Sequence, residues 1–375
     1  MSKHAIGALL LPAALLYGCA TQPKGEVPPL QSNALLSPST TSGVVHGNFT
    51  EYSLPAGADP VIFSKGPYST LWFATNNGNF GNGYDVYRFS EGTGAVSTFS
   101  MGPPWSAVNN IVTTNSKMYF IALNTAGPGE NPEYITYAMN SGAIVTGSAV
   151  ASDEQIGPTV LGPDGNLWFP DCVQACSENP GNSVRSITPS GASGVWVSLT
   201  NFTANNLTPG PLGDMYVTAS YSTYYPPPTP QHDSAVFVLS TSGTILHEIF
   251  LPHGSNPSGI ATGSDHNLWI TEPGINKIAR MTPSGSITGQ FIIPTANAGA
   301  AWITQGADGQ LWFTETTANK IGRLTTTGVF RQWTIPTANS RPTSIQYCYP
   351  GCGAHYGVWF AETGANQIGK FNSPI

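Results

Sequence analysis

The chain has 375 residues, a formal net charge of −7 and only 9% charged residues, against about 25% in an average soluble domain. Solubility must therefore come from Ser, Thr, Asn and Gly. The 13 basic residues are scattered rather than clustered, which argues against nucleic-acid binding, because that needs a basic patch.

Residues 1–18 read as an export signal. Lys3 supplies a small positive n-region, and Ala5 to Tyr17 form an apolar core too short to span a membrane as a helix. Leu16-Tyr17-Gly18-Cys19 resembles a lipoprotein signal, in which Cys19 is lipidated and becomes the mature N-terminus. An ordinary export signal with an incidental cysteine is the other reading. The lipoprotein reading places the chain in the cell envelope, anchored to a membrane. Residues 19–47 are rich in Pro, Ser, Thr and Gln and read as a flexible tether. Residues 48–375 then read as one domain.

That domain is a repeat. An apolar-aromatic triplet recurs at Leu71-Trp72-Phe73, Met118-Tyr119-Phe120, Leu167-Trp168-Phe169, Met215-Tyr216-Val217, Leu268-Trp269-Ile270, Leu311-Trp312-Phe313 and Val358-Trp359-Phe360. The steps between them are 47, 49, 48, 53, 43 and 47 residues. Such a period, with β-branched and aromatic residues punctuated by Gly and Pro, marks the blades of a β-propeller rather than a helical solenoid. The expected fold is all-β: a seven-bladed propeller of four-stranded antiparallel blades.

One copy parses fully. Ala301–Thr304 is a first strand, Asp308-Gly309 a tight turn, Leu311–Glu315 a second strand and Lys320–Thr325 a third. Phe330–Ile335 is the fourth, ended by Pro336. Fourth strands recur near Val96, Ile144, Val195, Ile245 and Gly289, but the chain stops after a third strand at Lys370-Phe371. The missing one is Thr50 to Pro55, so the N-terminal strand is expected to complete the last blade and remove its free edge.

After Cys19, four cysteines form two local pairs, Cys172 with Cys176 and Cys348 with Cys352. The pairs fall in blades that are not neighbours, which argues against a shared zinc site. In an exported chain they are expected to be two local disulfides. Tyr221 to Asp233 is the longest insertion, and its tyrosines and prolines suit a carbohydrate, peptide or aromatic ligand; a loop with no ligand is the plainer reading.

Glu272, Glu315 and Glu362 end three second strands, and Asn276, Asn319 and Asn366 follow each four residues later. Lys277, Lys320 and Gln367 come next, then Arg280, Arg323 and Lys370. The structural expectation is that each Glu pairs with a Lys or Arg across its own hairpin, or caps loop amides. The functional one is that some of these carboxylates line the channel mouth and bind a cation or polar ligand. His253, before a first strand, is within reach of that rim. His266 stands where an Asp-Gly turn has its Gly. His232 and His355 lie in loops, and no Gly-x-Ser-x-Gly elbow, His-Glu-x-x-His pair or phosphate loop is present.

Asp308 to Glu315 with Asn319 to Leu324, and their counterparts around Trp269 and Trp359, resemble the repeat of the virginiamycin B lyase (streptogramin lyase) family. The resemblance is strong over about residues 245–371 and weaker, but in register, back to 49. It implies a seven-bladed propeller and an enzyme that opens a cyclic depsipeptide by elimination with Mg²⁺. In that pattern a substrate-binding His falls at Ala301, a metal Glu near Arg341 and the catalytic His near Thr343. Only a second metal Glu, at Glu362, keeps its identity.

The resemblance thus implies the fold without a catalytic residue. The expectation is a monomeric, non-catalytic module that needs no cofactor. It would bind a small molecule, peptide or glycan at the channel mouth, or a cell-envelope protein, with Glu272, Glu315, Glu362 and His253 as candidate contacts. The alternative is a Mg²⁺-dependent lyase with Glu362 as a metal ligand.

Overall fold

A computed structural model describes residues 39–372, except 41–42, 57, 59, 67–69, 76–84, 91–92, 101–104, 114–116, 125–130, 139–143, 150–156, 172–182, 190–191, 222–231 and 349–356. The described residues form strands and a single 3-10 turn, Pro273–Ile275. The strands make seven antiparallel sheets in chain order. Blocks of four build the second to sixth. The sixth, for example, is Ala300–Gln305, Leu311–Glu315, Lys320–Leu324 and Phe330–Thr334.

The seventh sheet has three strands of its own, Pro342–Cys348, Gly357–Glu362 and Gln367–Asn372. Phe49–Ser53 pairs antiparallel with the last of these, Glu51 opposite Gly369. Val44–His46 adds one more strand outside it, and Ser39–Thr40 pairs with Ala95–Ser100 on the outer edge of the first sheet. Part of the stretch read as a tether is therefore paired. Fourth strands offer unsatisfied backbone groups at their outer edges, and this segment, rich in Ser, Thr and Val, takes them up.

Strand alternation explains the triplet. Leu311 and Phe313 pack toward the fifth sheet, against Trp269 and Ile278. Trp312, between them, packs toward the seventh, against Ile345, Val358 and Phe371. Trp359 likewise meets Leu71, Phe73 and Phe89 of the first sheet. Where the side chains are described, both faces of a second strand are thus buried between neighbouring sheets, so the run is apolar throughout rather than alternating.

Three of these tryptophans are also anchored by their turns. The indole N–H of Trp168, Trp269 and Trp312 donates to Asp164, Asp265 and Asp308, at 3.0, 3.1 and 3.2 Å. The same carboxylates accept the backbone N–H two residues on. Gly309 at φ 72° and His266 at φ 59° occupy the left-handed position of their turns, so His266 does replace a glycine there.

Threonine hydroxyls join consecutive sheets. Thr218 donates to the Ser258 carbonyl at 2.7 Å, Thr271 to Ala301 at 2.9 Å and Thr316 to Pro342 at 2.6 Å. Thr363, after the second strand of the seventh sheet, donates to Pro60 of the first at 2.9 Å.

Candidate functional site

Glu272, Glu315 and Glu362 are fully buried. Alternation turns each away from its Trp, toward its own third and fourth strands. Glu272 accepts from the Ser255 hydroxyl at 2.9 Å and from the Gln290 amide at 3.1 Å. Glu315 accepts from Gln332 at 2.6 Å. Burial raises both carboxyls, while Ser255 and Lys277, or Gln332 and Lys320, pull them back in part.

Of the two structural expectations, a direct Glu–Lys or Glu–Arg pair is not among the ion pairs of the described residues. Lys277 bonds the Gln290 side-chain oxygen at 3.1 Å, and Lys320 bonds Thr295 at 2.8 Å. Arg280 and Arg323 lie over Trp269 and Trp312, 5.8 and 5.5 Å from the ring centroids. A carboxylate with both faces covered is better satisfied by a neutral amide in the same sheet than by a cation that must also leave water.

The seventh sheet breaks this pattern. Gln290 stands opposite Ala279, and Gln332 opposite Gly322; the equivalent place opposite Gly369 holds Glu51. Lys277 and Lys320 give way to Gln367. Glu362 therefore faces a second carboxylate where the other two meet an amide, and neither of its oxygens has a hydrogen-bond partner of full geometry. Burial first, and the Glu51 charge second, push Glu362 up to about 8, against a smaller opposing pull from Ser340. Glu51 accepts the Thr337 N–H at 3.0 Å and has His46 at 3.8 Å.

The three positions that the family pattern gives to other residues lie on the first strands and the turns before them. Ala301 presents its carbonyl to the Gly259 N–H at 2.8 Å and the Thr271 hydroxyl at 2.9 Å. Thr343 shares a hydrogen bond with the Thr363 hydroxyl at 2.8 Å. Arg341 is exposed, at φ 48°. Among the described residues, no group of three or more His, Cys, Asp or Glu is placed to hold a metal ion.

His253 Nδ1 lies 2.8 Å from the Asp233 carboxylate. His232 stacks on Phe250, ring centroids 4.1 Å apart. Cys19, Cys172, Cys176, Cys352, His355 and the insertion from 222 to 231 lie outside the described residues. Cys348 ends the first strand of the seventh sheet, but its side chain is outside them too. The sequence reading missed Gln290, Gln332 and Glu51. Their signal is a Gln or Glu, an aromatic, one residue, an aliphatic and Pro, as in Gln332-Trp333-Thr334-Ile335-Pro336 and Glu51-Tyr52-Ser53-Leu54-Pro55.

Sheets of this kind, repeated and joined side to side, define a β-propeller. The sequence pattern of the virginiamycin B lyase family matches residues 147–374, and the chain belongs to that family. A streptogramin B lyase structure matches with a TM-score of 0.68 at 23% identity, over 86% of this chain and 97% of that one. A virginiamycin B lyase from Staphylococcus aureus matches with a TM-score of 0.66 at 25% identity, over 87% and 99%. A catalytically inactive variant of the Staphylococcus aureus enzyme, solved with quinupristin, matches with a TM-score of 0.67 at 25% identity, over 87% and 99%. Comparison with curated protein sequences found no match.

Proposed function

We propose that the chain is an exported lipoprotein carrying a seven-bladed propeller that binds a ligand or cell-envelope protein without lyase chemistry. The seven sheets are its blades, and the pairing of Phe49–Ser53 with Gln367–Asn372 closes the ring. The Thr363–Pro60 bond supports that closure. The signal read at 1–18, with Cys19 as anchor and the stretch after it as tether, would put the ring outside the cytoplasm. The paired cysteines staple two loops there.

The observation that carries the reading is Thr343. It lies near the place where the resemblance puts the family's histidine base, and its hydroxyl is engaged by Thr363. A magnesium ion in a family site would stabilise enolate-like charge. The residues here do not fit that ion. Arg341 brings a cation where a metal carboxylate belongs, and Glu362 is sealed against Glu51 with a carboxyl raised toward the neutral form. The alternative, a Mg²⁺-dependent lyase acting on a streptogramin B-type ring, draws on the solved relatives.

Thermal unfolding with and without Mg²⁺, alone and with a streptogramin B, separates the two. We expect no Mg²⁺-dependent rise in midpoint under either condition. A rise with Mg²⁺ that streptogramin B enlarges would overturn the non-catalytic reading, since a ligand of the native state stabilises it by mass action.

A further inference from the structure

We propose that the cleft between the fourth and fifth sheets binds a small neutral phenol. Its ring would lie against Phe250 and His232, with its hydroxyl donating to Nε2 of His253. The cleft has a volume of about 620 Å³ and is lined by His232, Phe250 to His253, and Ile287 to Gln290. That volume suits a small ligand. The site lies apart from Thr343 and Glu362 and does not depend on whether the chain has lyase activity.

The apolar wall is built in advance. Phe250 is 42% exposed, yet its ring is held on one side by Phe202, centroids 6.5 Å apart, and carries His232 at 4.1 Å. Two fixed rings present a surface suited to a flat one. Leu251 is tied down by its N–H to the Ser234 carbonyl, 2.9 Å.

The polar contact follows by elimination. The Gln290 amide is spent on Glu272 and Lys277. The Thr288 hydroxyl accepts from Arg280 Nε and donates to the Arg280 carbonyl. His253 remains. Asp233 lies 2.8 Å from its Nδ1 and is itself fixed by the Gly254 N–H at 3.0 Å and the Ser234 hydroxyl at 3.1 Å. A carboxylate on Nδ1 sets the tautomer in which Nε2 of the neutral ring accepts. The site therefore reads an O–H donor, and the Asp233 carboxylate behind the ring disfavours an anionic one.

The test is calorimetric titration of the folded protein with 4-ethylphenol and with its methyl ether, which keeps the ring and loses the donor. We expect the phenol to bind about three- to tenfold more tightly than the ether, the worth of one hydrogen bond. His253→Ala should bring the phenol down to the ether's affinity. Phe250→Ala should weaken both ligands together. Equal affinities in the wild type, a preference that survives His253→Ala, or no binding of the phenol would each overturn the proposal. The ether comparison needs no variant, so it stands even if a substitution disturbs folding.

Discussion

Glu51 faces Glu362 in the place where Gln290 faces Glu272 and Gln332 faces Glu315. The strand that completes the seventh sheet thus brings a carboxylate to a carboxylate. Tyr52 otherwise fits the repeat: it packs on Trp359 at 5.7 Å as Phe291 and Trp333 pack on Trp269 and Trp312.

This pair gives a pH signature. The Glu362 carboxyl rises from 4.5 to about 8 on folding. Below 4.5 both states hold the proton and the site costs nothing. As pH rises further the unfolded chain loses its proton first, so stability falls, by up to about 1.4 kcal/mol per pH unit. Above about 8 the loss is complete. Glu51→Gln supplies an amide donor and removes the like charge. Relative to the wild type it should gain about 1–2 kcal/mol at pH 8 and little at pH 4. Urea unfolding across that range checks this; parallel curves for the two proteins would contradict it.

Gly322 and Gly369 are small because Phe313 and Phe360 lie across the pair. A Cβ on Gly322 would sit 2.1 Å from the Phe313 ring. Ala279 is tolerated at the same place because Ile270 stands opposite. Gly322→Ala should cost about 1–3 kcal/mol by overpacking, and Phe313→Ile should recover much of that in the double variant. Additive losses in chemical denaturation would show that the ring is not what excludes the methyl group.

Asp308→Ala removes the acceptor of the Trp312 indole and of the Gln310 N–H. We expect a loss of about 1–3 kcal/mol. At Asp265 burial raises the carboxyl, but the hydrogen bonds from Asn267 and Trp269 outweigh it and hold it below 3.8. Its contribution is therefore present above that value and lost as pH falls through the folded one. Asp265→Asn should lack this acid-side loss, measurable as a shallower decline of the thermal midpoint in acid.

Deleting residues 1–38 should leave the unfolding midpoint unchanged, whereas deleting 1–56 should lower it sharply. Only the second removes Phe49–Ser53, with Phe49 packed on Phe371 at 4.8 Å and Leu54 in the core shared with the first sheet. Equal midpoints would mean that the N-terminal strand is dispensable.

The sheets were legible because burial on both faces leaves an unbroken Leu-Trp-Phe signature, and because Pro336 and its counterparts stop the outer strands. The pairing of Ser39–Thr40 and of Val44–His46 was not legible, since edge strands bind through backbone and leave Val44 and Val45 exposed. The glutamates end their strands as read, but the expected partners were a Lys or Arg across the hairpin or loop amides, not side-chain amides of the fourth strand. Gln290 and Gln332 sit on outer strands, where Gln is unremarkable until the register sets it against a carboxylate. His253 was read toward the channel rim; its contact with Asp233 spans 20 residues and the long insertion's end, which no local spacing announces.

The central claim is that this member of the lyase family keeps the fold without the elimination chemistry. It is tested most directly by incubating the protein with a streptogramin B and Mg²⁺ beside an active lyase, following retention and absorbance, because elimination opens the ring without changing its mass. The account predicts no conversion by this chain while the control is consumed. Mg²⁺-dependent formation of the linear isomer, abolished by Glu362→Gln, would contradict it.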